Sequence, residues 1–205
     1  MRSTLAKDQV LPLENGDTLT REEFHRRYEA SPEIKKAELI DGIVYLASPV
    51  SIHHSKPHAR LTGWLVAYAA RHDGTEVHDN PTLVLSGANE PQPDLVLRRL
   101  SGASMVNNNY YLEGSPELVV EIAATSASLD LNAKLRTYER AGIPEYLVWR
   151  TLEDVVDWFA LENGSYKPLK PGSDGILESR QFPGLRLSVD VLLDGSLRDL
   201  LALVR

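Results

Sequence analysis

An α/β domain with a mixed central sheet and a C-terminal β-hairpin extension is the fold this chain predicts. Three observations point there. Short apolar runs, Leu95-Val96-Leu97 and Leu118-Val119-Val120, read as strands, the second covered on both faces. A strand, a capped helix and a strand then follow in the order of a βαβ-like unit. Asp41-Gly42 and Asn163-Gly164, each between apolar runs, mark two hairpins. The length of 205 residues fits a single domain over 1–205.

In chain order, residues 1–17 lack periodicity and read as a loosely ordered arm. Thr20 with Glu23 forms a capping box for a helix to about Tyr28, which Ser31-Pro32 ends. The Asp41-Gly42 hairpin and a Ser48–Ser51 loop come next. From His53 or His54 to about Ala70, Leu61, Trp64, Leu65, Tyr68 and Ala69 recur at helical spacing, with Pro57 suited to the first turn. This is the longest predicted helix. Short strands are expected at Thr75–His78, at Thr82–Leu85 and after Pro93, with a loop at Asn107-Asn108-Asn109. After the Glu121 strand, Thr125, Ser126 and Ser128 offer caps for a helix over about 130–141, which Gly142 stops. A strand at 145–149, a hairpin at 154–169, a short strand at 185–189 and a helix over about 196–204 complete the chain.

The composition narrows the chemistry. With no cysteine, thiolate metal sites, disulfides and cysteine nucleophiles are excluded, and a reducing compartment fits. The N-terminus carries no apolar signal core and no run is long enough to span a bilayer, so a cytoplasmic protein without membrane contact is expected. The net charge of −7 speaks against a simple DNA-coating protein. It is compatible with an acidic site that a cation neutralises. There is no Gly-x-Ser-x-Gly elbow, Walker loop or dinucleotide fingerprint.

Two acids stand out. Asp94 opens one apolar run and Glu121 closes the next. If those strands pair, both carboxylates can share one hard cation, Mg²⁺ or Mn²⁺, with the backbone carbonyl of Ile122 as a third ligand. Such an ion lowers the pKa of a water and stabilises charge on a phosphate. Lys134 follows on the next helix, where Asp130, Lys134 and Tyr138 share a face at i, i+4 spacing. It could orient the water or neutralise the transition state. The same spacing also describes a solvated Asp130–Lys134 pair worth about 0.3–0.5 kcal/mol. Asp94 alone also reads as a turn acid after Pro93. Glu121 lies in a run that should be buried, so it needs a partner.

Pro-Asp-apolar, then apolar-Glu, then a lysine resembles the PD-(D/E)XK nuclease superfamily. More closely, the chain resembles the Uma-type putative restriction endonuclease family, a bacterial domain of unknown function. The matching pieces are Glu38-Leu39-Ile40-Asp41-Gly42, Ser48-Pro49 with His54, Pro93-Asp94-Leu95-Val96 and Glu117 to Ile122. The series continues with Asp130, Lys134, Tyr138 and Gly142-Ile143-Pro144-Glu145-Tyr146, and ends at Gly184-Leu185-Arg186-Leu187. The resemblance implies a restriction-endonuclease-like fold, Asp94 and Glu121 as metal ligands and Glu38 as a further acid near the site. Two positions depart from the pattern. Ala123 stands where the superfamily places its lysine, and the Uma-type pattern supplies it from the next helix as Lys134. Ala124 stands where serine is expected.

The remaining candidates carry competing readings. Glu38 also reads as a strand-edge charge beside Lys35 and Lys36. His54 reads as a phosphate or substrate contact, or as a helix-terminal residue near His53 and His58. A zinc cluster of those three histidines lacks a nearby acid. Tyr138 reads as a substrate contact or a core aromatic, and Glu145 as a structural hydrogen-bonder. The expected activity is Mg²⁺- or Mn²⁺-dependent endonucleolytic hydrolysis of DNA. The alternatives are an inactive nuclease fold kept for nucleic-acid binding or assembly, and a hydrolase of another phosphoester. A homodimer is expected, because two cuts on a duplex suit two sites, with the hairpin around Trp158-Phe159 as one interface.

Overall fold

The computed structural model describes residues 10–47, 49–85, 87–194 and 196–205. The first nine residues of the expected arm, and Ser48 of the expected loop, lie outside the described residues. The rest of the arm is docked. Leu13 is buried against Phe24, Leu39 and Val44, and the Gly16 N–H donates to the Val44 carbonyl at 2.8 Å.

Helix α1 is Arg21–Glu29, and strands β1 and β2 are Ala37–Ile40 and Ile43–Leu46. Thr20 accepts from the Glu23 N–H at 3.3 Å, but only this half of the capping box forms. The Glu23 carboxylate is drawn instead to Arg26 and Arg27 one turn on. Asp41 and Gly42 both have positive φ, 51° and 78°, as a two-residue type I′ turn requires.

Helix α2 is Ile52–Ala69, with Pro57 in the second turn rather than the first. Next come β3 (Thr75–Asp79), β4 (Leu83–Val84), β5 (Leu95–Arg99), β6 (Met105–Val106), β7 (Leu112–Glu113) and β8 (Leu118–Ala123). The expected 130–141 helix begins earlier. Ala127–Leu129, a π-helical turn Asp130–Lys134 and Leu135–Arg140 run without a break and together form α3. Gly142, at φ 74°, ends it. The chain closes with β9 (Glu145–Arg150), β10 (Val155–Glu162), β11 (Ser165–Pro168), β12 (Leu177–Glu178), β13 (Arg186–Leu187), α4 (Val189–Asp194) and α5 (Leu197–Ala202).

The central sheet is mixed and six-stranded, in the order β11-β10-β9-β8-β5-β3. Only β8 and β9 run parallel, joined by α3 as the crossover. The β10–β11 hairpin is therefore not an appendage, because it continues the sheet to its edge. Alternation sorts the strand residues between two layers. Leu95, Leu97, Leu118, Val120 and Ile122 pack against Leu61, Trp64, Leu65 and Tyr68 of α2. Val96, Val119 and Ala123 face the opposite way, toward Tyr138 of α3 and Tyr146. Each fully buried large apolar side chain contributes about 1.5–3 kcal/mol to this sandwich.

Trp158 belongs to the α2 layer. It is 2 % exposed, meets Trp64 edge-on and donates its indole N–H to Glu145. Trp158 therefore offers no exposed apolar surface on the hairpin, since the core has already consumed it. Glu145 is a structural acid, accepting also from Ser179 Oγ and the backbone N–H of Gln181. Among the described residues no helix is long and apolar enough to cross a membrane.

Candidate active site

Strands β5 and β8 are antiparallel, with Leu95 opposite Val120 and Val96 opposite Val119. Continuing that register by one residue sets Asp94 opposite Glu121. Asp94 shares the parity of Val96, and Glu121 that of Val119, so both acids stand on the α3 side of the sheet. Both are buried, 3 % and 2 % exposed. They line a cleft of about 650 Å³ with Lys36, Glu38, His54, Ile122, Asp130 and Lys134.

Asp94 is held from three sides. Its Oδ2 accepts from the Ile122 N–H at 2.8 Å and lies 3.1 Å from His54 Nε2, while Oδ1 lies 3.2 Å from the Lys36 ammonium. Burial pushes its carboxyl up, but the His54 hydrogen bond, the Lys36 charge and the Ile122 N–H together hold it below the usual range. The N–H and C=O of one strand residue face the same edge, so the Ile122 carbonyl is turned toward β5 as well.

Glu121 has the opposite electrostatic balance. Its Oε1 accepts from Lys134 Nζ at 3.0 Å and from the Tyr138 hydroxyl at 2.9 Å. Burial nevertheless pushes it up to about 8, against the pull of Lys134 and with Asp130, Asp94 and Glu38 adding their repulsion.

Lys134 is not a surface residue. Its side chain is 4 % exposed, and its ammonium also lies 2.9 Å from Glu38 Oε1 and 3.5 Å from Asp130 Oδ1. Burial opposes the charge on Lys134, but the three carboxylates outweigh it and raise its pKa well above the ordinary value. The solvated-pair reading of Asp130 and Lys134 is thereby excluded, since burial removes the solvent it assumes. Glu38 likewise joins the site, its Oε1 also accepting from the Gln92 N–H at 2.7 Å. Asp130 receives Ser126 Oγ on Oδ2 at 2.6 Å, while its buried Oδ1 lacks a hydrogen bond.

His54 is brought to the cleft, with its ring stacked on His58, whose Nε2 contacts Asp79 at 3.0 Å. Tyr138 is not at the cleft surface. It is fully buried and its hydroxyl donates to Glu121, which fits the core-aromatic reading rather than a contact at the cleft surface. Lys36 and Asp130 were not singled out as site residues. Lys36 had a usable signal, because it precedes Glu38 by two positions and so falls on the same strand face.

The family model described as "Uma2: Putative restriction endonuclease" matches residues 21–190, which span every residue of this cleft. The chain belongs to the Uma2 family. Among solved structures, a putative nuclease belonging to DUF820 from Anabaena variabilis ATCC 29413 is similar in fold. It superimposes with a TM-score of 0.69 over 86 % of this chain and 98 % of its own, at 14 % identity. A comparison with curated proteins gives no match.

For this Uma2 chain, the donor set suits a hard cation. The cleft offers carboxylate and carbonyl oxygens, and four acids (Glu38, Asp94, Glu121, Asp130) face two lysines. Among the described residues no three His, Asp or Glu side chains already converge as a metal cage, and the ammonium groups of Lys36 and Lys134 contact the acids instead.

Proposed function

We propose that this Uma2-family chain is a metal-dependent, endonuclease-like phosphodiesterase that hydrolyses DNA. The observation that carries the reading is the placement of Asp94 and Glu121 opposite each other on one sheet face, with Lys134 of the next helix seated on Glu121. Asp94, Glu121 and the Ile122 carbonyl would hold Mg²⁺ or Mn²⁺, which supplies an acidified water and charge stabilisation at phosphorus.

The chain's own residues do the rest. The Ile122 N–H and His54 hold one oxygen of Asp94 and keep the carboxyl ionised at neutral pH. Tyr138 and Lys134 fix the orientation of Glu121. Lys134 also offsets part of the repulsion among Glu38, Glu121 and Asp130. Both sheet faces around the acids are packed, so the cleft excludes bulk water from all sides but its mouth. DNA is the substrate in this reading, and a second copy of the chain is the partner that places two sites on two strands.

Calorimetric titration with Mn²⁺, beside plasmid cleavage, tests the reading. The wild type should bind Mn²⁺ and cut DNA, and Asp94→Ala should do neither. No binding by the wild type, or equal binding by Asp94→Ala, would overturn it. The net charge of −7 favours a second reading, a nuclease fold kept for binding or assembly. Mn²⁺ binding without cleavage would support that one.

A further inference from the structure

We propose that Lys36, rather than Lys134, is the ammonium that meets the scissile phosphate. The inference rests on the phosphodiesterase reading above and deepens it.

Two lysines line the cleft, and their surroundings differ. The Lys134 ammonium is enclosed by Glu38 at 2.9 Å, Glu121 at 3.0 Å and Asp130 at 3.5 Å, with 4 % of the side chain exposed. Two of its three N–H donors are spent on Glu38 and Glu121, and the Asp130 carboxylate adds its charge at 3.5 Å. To reach a phosphate, Lys134 would have to abandon a buried acid, which is costly. Lys36 is 24 % exposed and has two partners, Asp94 Oδ1 at 3.2 Å and Asn80 Oδ1 at 3.1 Å. One donor is left for a ligand in the cleft.

The position of Lys36 is also the right one. It holds the Asp94 oxygen that neither His54 nor the Ile122 N–H occupies. Lys36 therefore competes for Asp94 with any cation the acid receives. A phosphodiester oxygen arriving beside that cation gives the displaced ammonium a new anion within reach of its flexible stem. The segment entering β1 thus delivers Lys36 to the same cleft as the buried Glu38, two residues on in that strand. Lys134 is left as a positioning residue for Glu121.

Three measurements on Lys36→Met, Lys36→Arg and the wild type test this. Plasmid cleavage with Mn²⁺ should fall about 100-fold in Lys36→Met, the usual consequence of removing one transition-state donor. Mn²⁺ binding by calorimetry should be retained or tightened, because a competitor for Asp94 has gone. The salt dependence of binding to a short DNA duplex, with Ca²⁺ replacing Mn²⁺, should lose about one unit of slope in Lys36→Met. Lys36→Arg keeps the charge and should keep the slope, whatever the stability of the methionine variant. Unchanged cleavage and slope in Lys36→Met would overturn the proposal. So would a loss of cleavage that follows a loss of Mn²⁺ affinity, since Lys36 would then only shape the cation site. A wild type that cuts no DNA would overturn the phosphodiesterase reading, and this proposal with it.

Discussion

Lys134→Met removes the ammonium from the acid cluster while leaving an apolar stem of similar length. In the wild type that ammonium contacts Glu38, Glu121 and Asp130, and all four residues are at least nine-tenths buried. Removing one partner of a buried ion pair costs about 3–5 kcal/mol, because the remaining charge is stranded. Here Glu38, Glu121 and Asp130 lose their shared cation, and Glu121, which burial already pushes up to about 8, is the acid that most readily holds a proton and so limits the loss. The net expectation stays near 3–5 kcal/mol, which for a chain of this length lowers the melting temperature by roughly 6–20 °C. Melting followed by far-ultraviolet circular dichroism in a chelator measures it. Adding Glu38→Gln should restore part of the stability, since the double variant strands one charge fewer, with a coupling of about 0.5–3 kcal/mol. Mn²⁺ at about 100 times its dissociation constant should return roughly 2.7 kcal/mol by linkage. A Lys134→Met protein that melts within about 2 °C of the wild type, below the roughly 2–4 °C expected from 1 kcal/mol, would refute the reasoning. It would mean that the ammonium is not neutralising a buried acidic cluster.

Two further predictions address other buried polar groups. Tyr138→Phe removes one hydrogen bond to Glu121 without opening the cleft, and should cost about 1.5–3 kcal/mol in urea unfolding. A loss of less than about 0.5 kcal/mol, the usual range of a surface change, would show that the hydroxyl does not hold the acid. Glu90 is 2 % exposed, and burial pushes it up to about 7, with Glu29 adding repulsion and Arg21 opposing; His25 Nδ1 lies 3.0 Å away. Its raised folded pKa means that stability is fully present below the unfolded value near 4.5 and is lost as pH rises through 7. Glu90→Gln should therefore be more stable than the wild type at pH 8, by up to about 3 kcal/mol, and near parity at pH 5. The same difference at both pH values would contradict this.

Much of the scaffold was legible because local chemistry and tertiary structure agree. Asp41-Gly42 and Asn163-Gly164 adopt the positive φ that their residue types invite. The acids were legible as charges in or beside two apolar runs, but that Asp94 and Glu121 share a face depends on the register of β5 and β8, which a one-residue slip would undo. What escaped was decided at longer range. Strands of two residues, such as β6 and β12, carry too short a pattern to detect and are set by their neighbours. The π-helical turn has no glycine or proline to announce it, yet it lies at Lys134, where such turns often mark functional positions. The spacing that groups Asp130, Lys134 and Tyr138 could not reveal depth, and Tyr138 proved to lie beneath the acids rather than at the rim. Trp158 sits in an apolar periodic setting that fits core or interface equally, and its hairpin, by extending the central sheet, turns the indole into the core.

The crossover that carries Lys134 has a consequence for how the protein comes into being. Asp94 and Glu121 meet when two antiparallel strands pair, but Lys134 reaches them only as α3 packs over the sheet and β9 aligns beside β8. Glu38 and Lys36 must arrive separately from a hairpin far upstream. Each of these is a long loop closure, slow and entropically unfavourable until the others are in place. The cleft is therefore a checkpoint of native topology. A nascent or partly unfolded chain carries every ingredient of the site but not its geometry, so the chemistry proposed for the cleft waits until folding is complete.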